Sequence, residues 1–305
     1  MTRLPELYVI GAPKSGTTSL AGWLADHPQI TFSVPKEPFY WASDYPGMRS
    51  HYGFDTRARY AALFASAPEG TMLAEGSTTY LYSERAVPDI LAAVPGARFV
   101  VALRNPVDLL ISWHRTQLVS LNESEADFAT AWRRSVAGGM PDTTPLDPKL
   151  VDYPRVGRLG AAVERLLAQA PRDRVHVVLL EELSADPEQA WRALADFAGI
   201  AADPLPSFDV RNASTKAARF TAVRRITHRP PRLLAGPLRA LRQWSRTTSL
   251  PAVAALKRRM WRAATLPSVR PEVRAEVAAY LASDVALLSE RLGTDLSRWA
   301  TVPSG

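Results

Sequence analysis

Leu7-Tyr-Val-Ile-Gly-Ala-Pro-Lys-Ser-Gly-Thr-Thr-Ser-Leu20 is the stretch whose reading decides the fold. The apolar run Leu7 to Ile10 has the length and composition of a buried strand. It meets a turn bracketed by Gly11 and Gly16, after which Leu20, Trp23 and Leu24 fall at helical spacing. Strand, glycine loop and helix together aim several backbone N–H groups and a helix N-terminus at one anion. A Walker A loop would place Lys and then Ser or Thr directly after its last glycine. Here Thr17 and Thr18 follow Gly16, and the loop's lysine, Lys14, comes before it. The segment is a phosphate cradle of another kind.

Arg98-Phe-Val-Val-Ala-Leu-Arg-Asn-Pro-Val107 is a second buried strand, and it delivers Arg104 at its carboxyl end. Nucleotide triphosphatases place an Asp at such a strand end to hold magnesium. An arginine binds no metal, and its planar fork suits a phosphate. Two anion-reading elements without a magnesium carboxylate point to a ligand with two separate charged ends.

Pro13-Lys-Ser-Gly-Thr-Thr-Ser19 and Arg104-Asn-Pro-Val-Asp-Leu-Leu-Ile-Ser112 resemble the paired signature elements of the PAPS-dependent sulfotransferases, PAPS being 3′-phosphoadenosine 5′-phosphosulfate. Pro35-Lys-Glu-Pro-Phe-Tyr-Trp41 is similar to a segment of the bacterial and glycan enzymes, and Glu75-Gly-Ser-Thr-Thr-Tyr-Leu-Tyr-Ser83 and Thr294-Asp-Leu-Ser-Arg-Trp299 add further matches. The resemblance implies that Lys14, Ser15, Gly16, Thr17, Thr18 and Ser19 hold the 5′-phosphosulfate, and that Arg104 and Ser112 hold the 3′-phosphate. It implies a basic segment closing over the nucleotide, with Lys216 and Arg219 as candidates, and Glu37 as the catalytic base. Two positions depart from the glycan enzymes: Phe39 stands where they carry a histidine, and Gly76 where they often carry a lysine.

The chemistry of sulfuryl transfer gives these residues roles. Negative charge builds on the departing bridging oxygen, so a cation placed there stabilises the transition state. Lys14 is the candidate. The acceptor loses a proton as it attacks, which calls for a carboxylate or imidazole. Glu37 is the first candidate, with Glu75, His51 and His114 in reserve, and Glu75 is equally suited to orienting Lys14 or Tyr80.

The 305 residues, 47% hydrophobic, suffice for one α/β domain with a full core. The expected architecture is a P-loop-like three-layer fold, a central mostly parallel sheet flanked by helices, with a basic helical C-terminal region. Within one domain over 1–305 we expect an α/β nucleotide-binding core at 1–210, a basic segment or lid at 211–270, and a terminal helix at 271–305 packing on the core. No stretch approaches the roughly 18 apolar residues of a membrane span, and the N-terminus does not read as a signal peptide. The absence of cysteine fits a reducing, cytoplasmic setting. The five histidines show no metal-ligand spacing, so metal-independent chemistry is expected.

The net charge of +7 is uneven: Arg211 to Arg274 holds 16 Lys or Arg and a single acid, Glu272. Leu238, Leu241 and Trp244 interleave there with arginines, a pattern compatible with an anionic membrane surface or with a solvated helix face. No nucleic-acid reader motif accompanies it.

Strand candidates are Leu7–Ile10, Met72–Ala74, Arg98–Leu103 and Arg174–Leu180. Helical periodicity marks Leu20–Asp26, Arg57–Ala67, Ala86–Ala93, Asp108–Leu118, Ala126–Ala137, Leu159–Gln169, Glu188–Ala198 and Pro271–Leu292. Pro141–Pro154 reads as a surface loop bordering the acceptor site. The acceptor, a small molecule or glycan, is left open. The alternatives are a P-loop kinase of a small metabolite, disfavoured by Lys14 and Arg104, and a non-enzymatic nucleotide- or membrane-binding module, which leaves Glu37 without a purpose.

Overall fold

The computed structural model describes residues 3–208 and 268–301, together with the backbone of 216–218 and 261–263. The chain runs β1 (Leu7–Gly11), α1 (Thr17–Asp26), β2 (Ile30–Phe32), α2 (Pro46–Tyr52), α3 (Arg57–Ala61), β3 (Met72–Gly76), α4 (Ala86–Ala93) and β4 (Arg98–Leu103). It continues with α5 (Pro106–Val119), α6 (Phe128–Val136), α7 (Tyr153–Gly157), α8 (Leu159–Gln169), β5 (Val175–Leu179), α9 (Leu180–Ala185) and α10 (Pro187–Ala198). After β6 (Lys216–Ala218) and β7 (Trp261–Ala263), which pair antiparallel, comes α11 (Pro271–Leu292).

Strands β1 to β5 form one sheet in the order β2-β3-β1-β4-β5, and every pairing is parallel. Alternate side chains feed two cores. Tyr8 and Ile10 of β1, with Phe99, Val101 and Leu103 of β4, pack beneath α4, α5, α8 and α11. Leu7, Val9, Val100 and Ala102 pack on the other face against Leu20, Trp23 and Leu24 of α1 and Trp191 and Leu194 of α10. Helices on both faces give the three layers. A parallel sheet covered this way opens its ligand crevice beyond the carboxyl ends of its strands. Gly11, Gly76 and Leu103 therefore point the chain's informative loops at one edge.

Helix α11 is anchored to α8 by chemistry as well as by its apolar stripe. Val277, Leu281, Val285 and Leu288 are buried. The Asp284 carboxylate accepts from the backbone N–H groups of Gly160 at 2.7 Å and Ala161 at 2.9 Å. Those are first-turn donors that α8 would otherwise leave without a partner. Gly160 permits the approach, because a Cβ there would lie 2.2 Å from the Asp284 carbonyl oxygen.

The structure departs from the sequence reading in several places. Strand β2 and helix α2 were not anticipated, and Leu180, expected to end a strand, opens α9 instead. The helix expected over Arg57–Ala67 stops at Ala61 and tightens into a 3-10 turn over Ala62–Phe64. Pro141–Pro154 is more than a surface loop: Leu150, Val151 and Tyr153 are buried. The expected basic helical region over 211–270 falls mostly outside the described residues, and its two described triplets, β6 and β7, are extended.

Candidate active site

The turn after β1 carries Lys14 at φ +67° and Gly16 at φ +90°. A residue with a Cβ rarely adopts such values, so strain is held in the loop. Gly16 caps α1, whose N-terminus has no side-chain cap and no acid in its first turn. Donors without a competing carboxylate are what an anionic group requires there. Pro13, Lys14, Gly16, Thr17, Thr18 and Ser19 form one wall of a cavity of about 250 Å³. Burial lowers the Lys14 pKa from its ordinary value, nearby Glu37 partly restores it, and Arg104 and Lys36 push it down again. An ammonium held this way gains strongly from an incoming anion.

Glu37 lines the same cavity, on the long connection between β2 and α2. Its φ is +66° and that of Phe39 is +59°. The Glu37 N–H donates to the Gly76 carbonyl at 2.8 Å. Lys36 Nζ meets Glu37 Oε1 at 2.7 Å, and Thr78 Oγ1 lies 3.5 Å from the same oxygen. A Cβ on Gly76 would lie 3.5 Å from Lys36 Cε. The space beside position 76 is thus bounded first by the Phe32 ring, 3.1 Å from such a Cβ, and then by the Lys36 and Val9 side chains.

Glu75 is fully buried and does not line the cavity. It accepts from Ser77 Oγ at 2.5 Å, Tyr60 Oη at 2.8 Å and Tyr80 Oη at 3.1 Å. Each of those hydroxyls in turn accepts from the segment following Glu37. Phe39 N–H donates to Ser77 at 3.1 Å, Trp41 N–H to Tyr80 at 3.1 Å, and Trp41 Nε1 to Tyr60 at 3.0 Å. Burial raises the Glu75 pKa to about 7, against the three hydrogen bonds that favour its anion. Sequence reasoning placed Glu75 near Tyr80 but had no means of finding Tyr60, which approaches from α3.

Arg104 leaves β4 and donates to the Lys14 carbonyl at 3.4 Å. Its guanidinium is 3.8 Å from Asp108, whose other oxygen pairs with Arg274 at 2.7 Å. Arg274, on the first turns of α11, brings a second guanidinium to this corner that sequence reading did not single out. Ser112 is buried on α5 outside the cavity lining, and Ser15 is buried with its hydroxyl 3.5 Å from the Pro13 carbonyl. His51 lines the cavity. His114 does not; it is buried against Phe128 and Tyr153, with Nε2 2.8 Å from the Glu125 carbonyl. Arg219, and the side chain of Lys216, lie outside the described residues. Among the described residues no three His, Asp or Glu side chains converge as a metal-ligand set.

Residues 4–225 match the family described as the sulfotransferase domain. The chain belongs to that family. It is 27% identical over 198 residues to the heparan sulfate glucosamine 3-O-sulfotransferase 3A1 of Mus musculus, a match covering 65% of this chain and 46% of that protein. It is 28% identical over 204 residues to the bifunctional heparan sulfate N-deacetylase/N-sulfotransferase 2 of Bos taurus, covering 65% and 22%. The chain thus spans less than half the length of these curated relatives. A crystal structure of a sulfotransferase from Alicyclobacillus acidocaldarius matches with a TM-score of 0.71 and 23% identity, covering 98% of this chain and all of that one. The two share the P-loop-like sulfotransferase fold.

Proposed function

We propose that this sulfotransferase-family chain transfers a sulfuryl group from PAPS to a hydroxyl or amine of an acceptor. The observation that carries the proposal is Lys14 and Glu37 lining one cavity within electrostatic reach of each other, the lysine set in a loop of uncapped N–H donors. The residues present fit PAPS. The loop 13–19 contains donors and a cation but no carboxylate, and Arg104 stands beside it as a separate anion site. When bound, PAPS supplies an activated SO₃ group on its 5′-phosphate.

Lys14, the first-turn N–H groups of α1 and the hydroxyls of Thr17 and Thr18 hold the 5′ end and balance charge on the leaving oxygen. Arg104, with Arg274 behind Asp108, holds the 3′-phosphate. Glu37 accepts the acceptor's proton on Oε1 or Oε2 as the acceptor oxygen attacks sulfur. Lys36, paired with Glu37, aims that carboxylate. The protein needs no metal for these roles.

The test is transfer of labelled sulfate from PAPS to an acceptor panel, with chelator present, by the natural chain and by Lys14→Ala. Label appearing in an acceptor with the natural chain alone supports the proposal; hydrolysis without transfer contradicts it. The basic tract within 211–274 supports a peripheral association with an anionic membrane on the cytoplasmic side. Co-sedimentation with anionic but not neutral liposomes, lost at high salt, is the corresponding check.

A further inference from the structure

A second cavity, of about 210 Å³, lies where the turn after β3 meets the junction of α7 and α8. Tyr82, Asp152, Arg155, Arg158 and Arg165 line it, and among the described residues it shares none with the cavity of Lys14 and Glu37. Arg158 stands at the N-terminal boundary of α8, and Arg165 follows about two turns later. Three guanidiniums and one carboxylate among the described lining residues leave a surplus of two positive charges around the space. The volume is several times the roughly 30 Å³ that one water takes in the liquid.

These arginines are held mainly by groups that carry no charge. Arg155 donates to the Tyr82 carbonyl at 2.8 Å and Arg165 to the Leu81 carbonyl at 2.6 Å. Arg158 donates to the Tyr280 hydroxyl at 3.1 Å, with its guanidinium over that ring. The nearby acids are only partly available to them. Glu84, largely exposed, lies 3.4 Å from Arg155, and Asp152 accepts from the Arg155 backbone N–H at 3.0 Å. Asp284, the acid beside Arg158, is taken up by the first N–H groups of α8. Among the described residues Arg155 Nε is buried without a hydrogen-bond partner.

Burial lowers the Arg165 pKa from its ordinary value, and Arg155 pushes it lower still. Arginine does not escape such repulsion by losing its proton, so an anion between the guanidiniums relieves it. We infer that this second cavity binds a phosphate or sulfate dianion at Arg155, Arg158 and Arg165, either free in solution or as the phosphomonoester headgroup of a lipid. Guanidinium forks match the oxygens of such an ion, and a double charge answers the surplus of two. The site is separate from the donor loop, so the inference does not depend on the sulfotransferase reading.

The test titrates inorganic phosphate by calorimetry into the natural protein, Lys14→Ala, Arg155→Gln, Arg165→Gln and Arg158→Gln. A millimolar or tighter site should survive Lys14→Ala and weaken at least about tenfold in Arg155→Gln and Arg165→Gln. Arg158 is exposed, so its variant reports even if loss of either other arginine unsettles the turn, and it should weaken phosphate at least about threefold. Affinity for 3′-phosphoadenosine 5′-phosphate, or PAP, is measured alongside and should stay within about threefold in the arginine variants, showing that they are folded. Vesicles of phosphatidic acid and of phosphatidylglycerol, at matched surface charge, separate the two sources. A preference for phosphatidic acid that the arginine variants lose assigns the site to a lipid headgroup, and phosphate binding without that preference assigns it to the free ion. Phosphate binding that vanishes in Lys14→Ala, or that all three arginine variants keep within about twofold, overturns the inference. Absence of both phosphate binding and lipid preference overturns it as well.

Discussion

The Tyr80 hydroxyl donates to the buried Glu75 carboxylate at 3.1 Å while accepting from the Trp41 backbone N–H at the same distance. Ser77 and Tyr60 repeat that arrangement toward Phe39 and the Trp41 indole. A carboxylate at the end of β3 thereby sets the direction of three hydroxyls. Those hydroxyls hold the segment in which Glu37 and Phe39 take left-handed backbone angles.

Glu75 should act as a positioning residue. Glu75→Ala leaves three buried hydroxyls without their acceptor, at about 1–3 kcal/mol for each unsatisfied group. It should lower kcat far more than PAP affinity. Glu75→Gln preserves an acceptor and should retain most of the activity. The pH dependence has a definite sign. With a folded pKa of about 7 against an ordinary 4.5, folded protein holds the proton more tightly than unfolded chain. Stability should therefore fall as pH rises from about 4.5 through 7, by about 3 kcal/mol at the upper bound for so buried a group. Chemical denaturation of the Gln variant across that range should show a flatter profile.

Lys14 should impose an alkaline limit on donor binding. Burial lowers its pKa below the ordinary 10.5, so its charge is lost at a lower pH than that of an exposed lysine. PAP affinity, measured by calorimetry from pH 7 upward, should weaken as Lys14 deprotonates. Lys14→Arg, which stays charged, should remove that limb even if turnover suffers from the changed shape.

Arg104→Ala should weaken PAP about ten- to a hundredfold, the range for a charge-assisted bond of roughly 1.5–3 kcal/mol. Arg274→Ala should cost less, because Asp108 stands between it and Arg104. Adenosine 5′-phosphosulfate, which lacks the 3′-phosphate, should bind both variants as it binds the natural protein.

Glu37→Gln should leave PAP affinity within about twofold while cutting the transfer rate by on the order of 10²–10⁴. Rapid-quench kinetics with saturating PAPS measures the chemical step directly. A His51→Ala variant run alongside should keep its rate if Glu37 is the base.

The parts of the fold legible in the sequence were those where local pattern and tertiary role coincide. The run Leu7–Ile10 with its glycine turn, and Arg98–Leu103 ending at Arg104, carry their own periodicity and breakers. Helix α11 showed its buried stripe in the same way. Strand β2, three residues long, contains too few positions for alternation to register. Helix α2 had a signal in Pro46 at its first turn and Gly53, at φ +78°, as its stop. Leu180 continued an apolar run across the boundary between β5 and α9, and Glu182, accepting from the Leu179 N–H at 3.0 Å, is what turns it. The donor end of the site was readable because one loop supplies most of it. The Glu75 hub and the apolar part of the cavity lining were not, since Tyr60, Met48, Trp113 and Leu150 reach them from four separate elements.

The central claim, that the Lys14 cavity and its Arg104 corner read a 3′,5′-bisphosphorylated adenosine, is tested most directly by titrating PAP into the protein with EDTA present. The account predicts micromolar or tighter binding that is unchanged by the chelator. It predicts at least about tenfold weaker binding of ATP with magnesium. Loss of PAP binding on chelation, or a preference for ATP–magnesium, would contradict it.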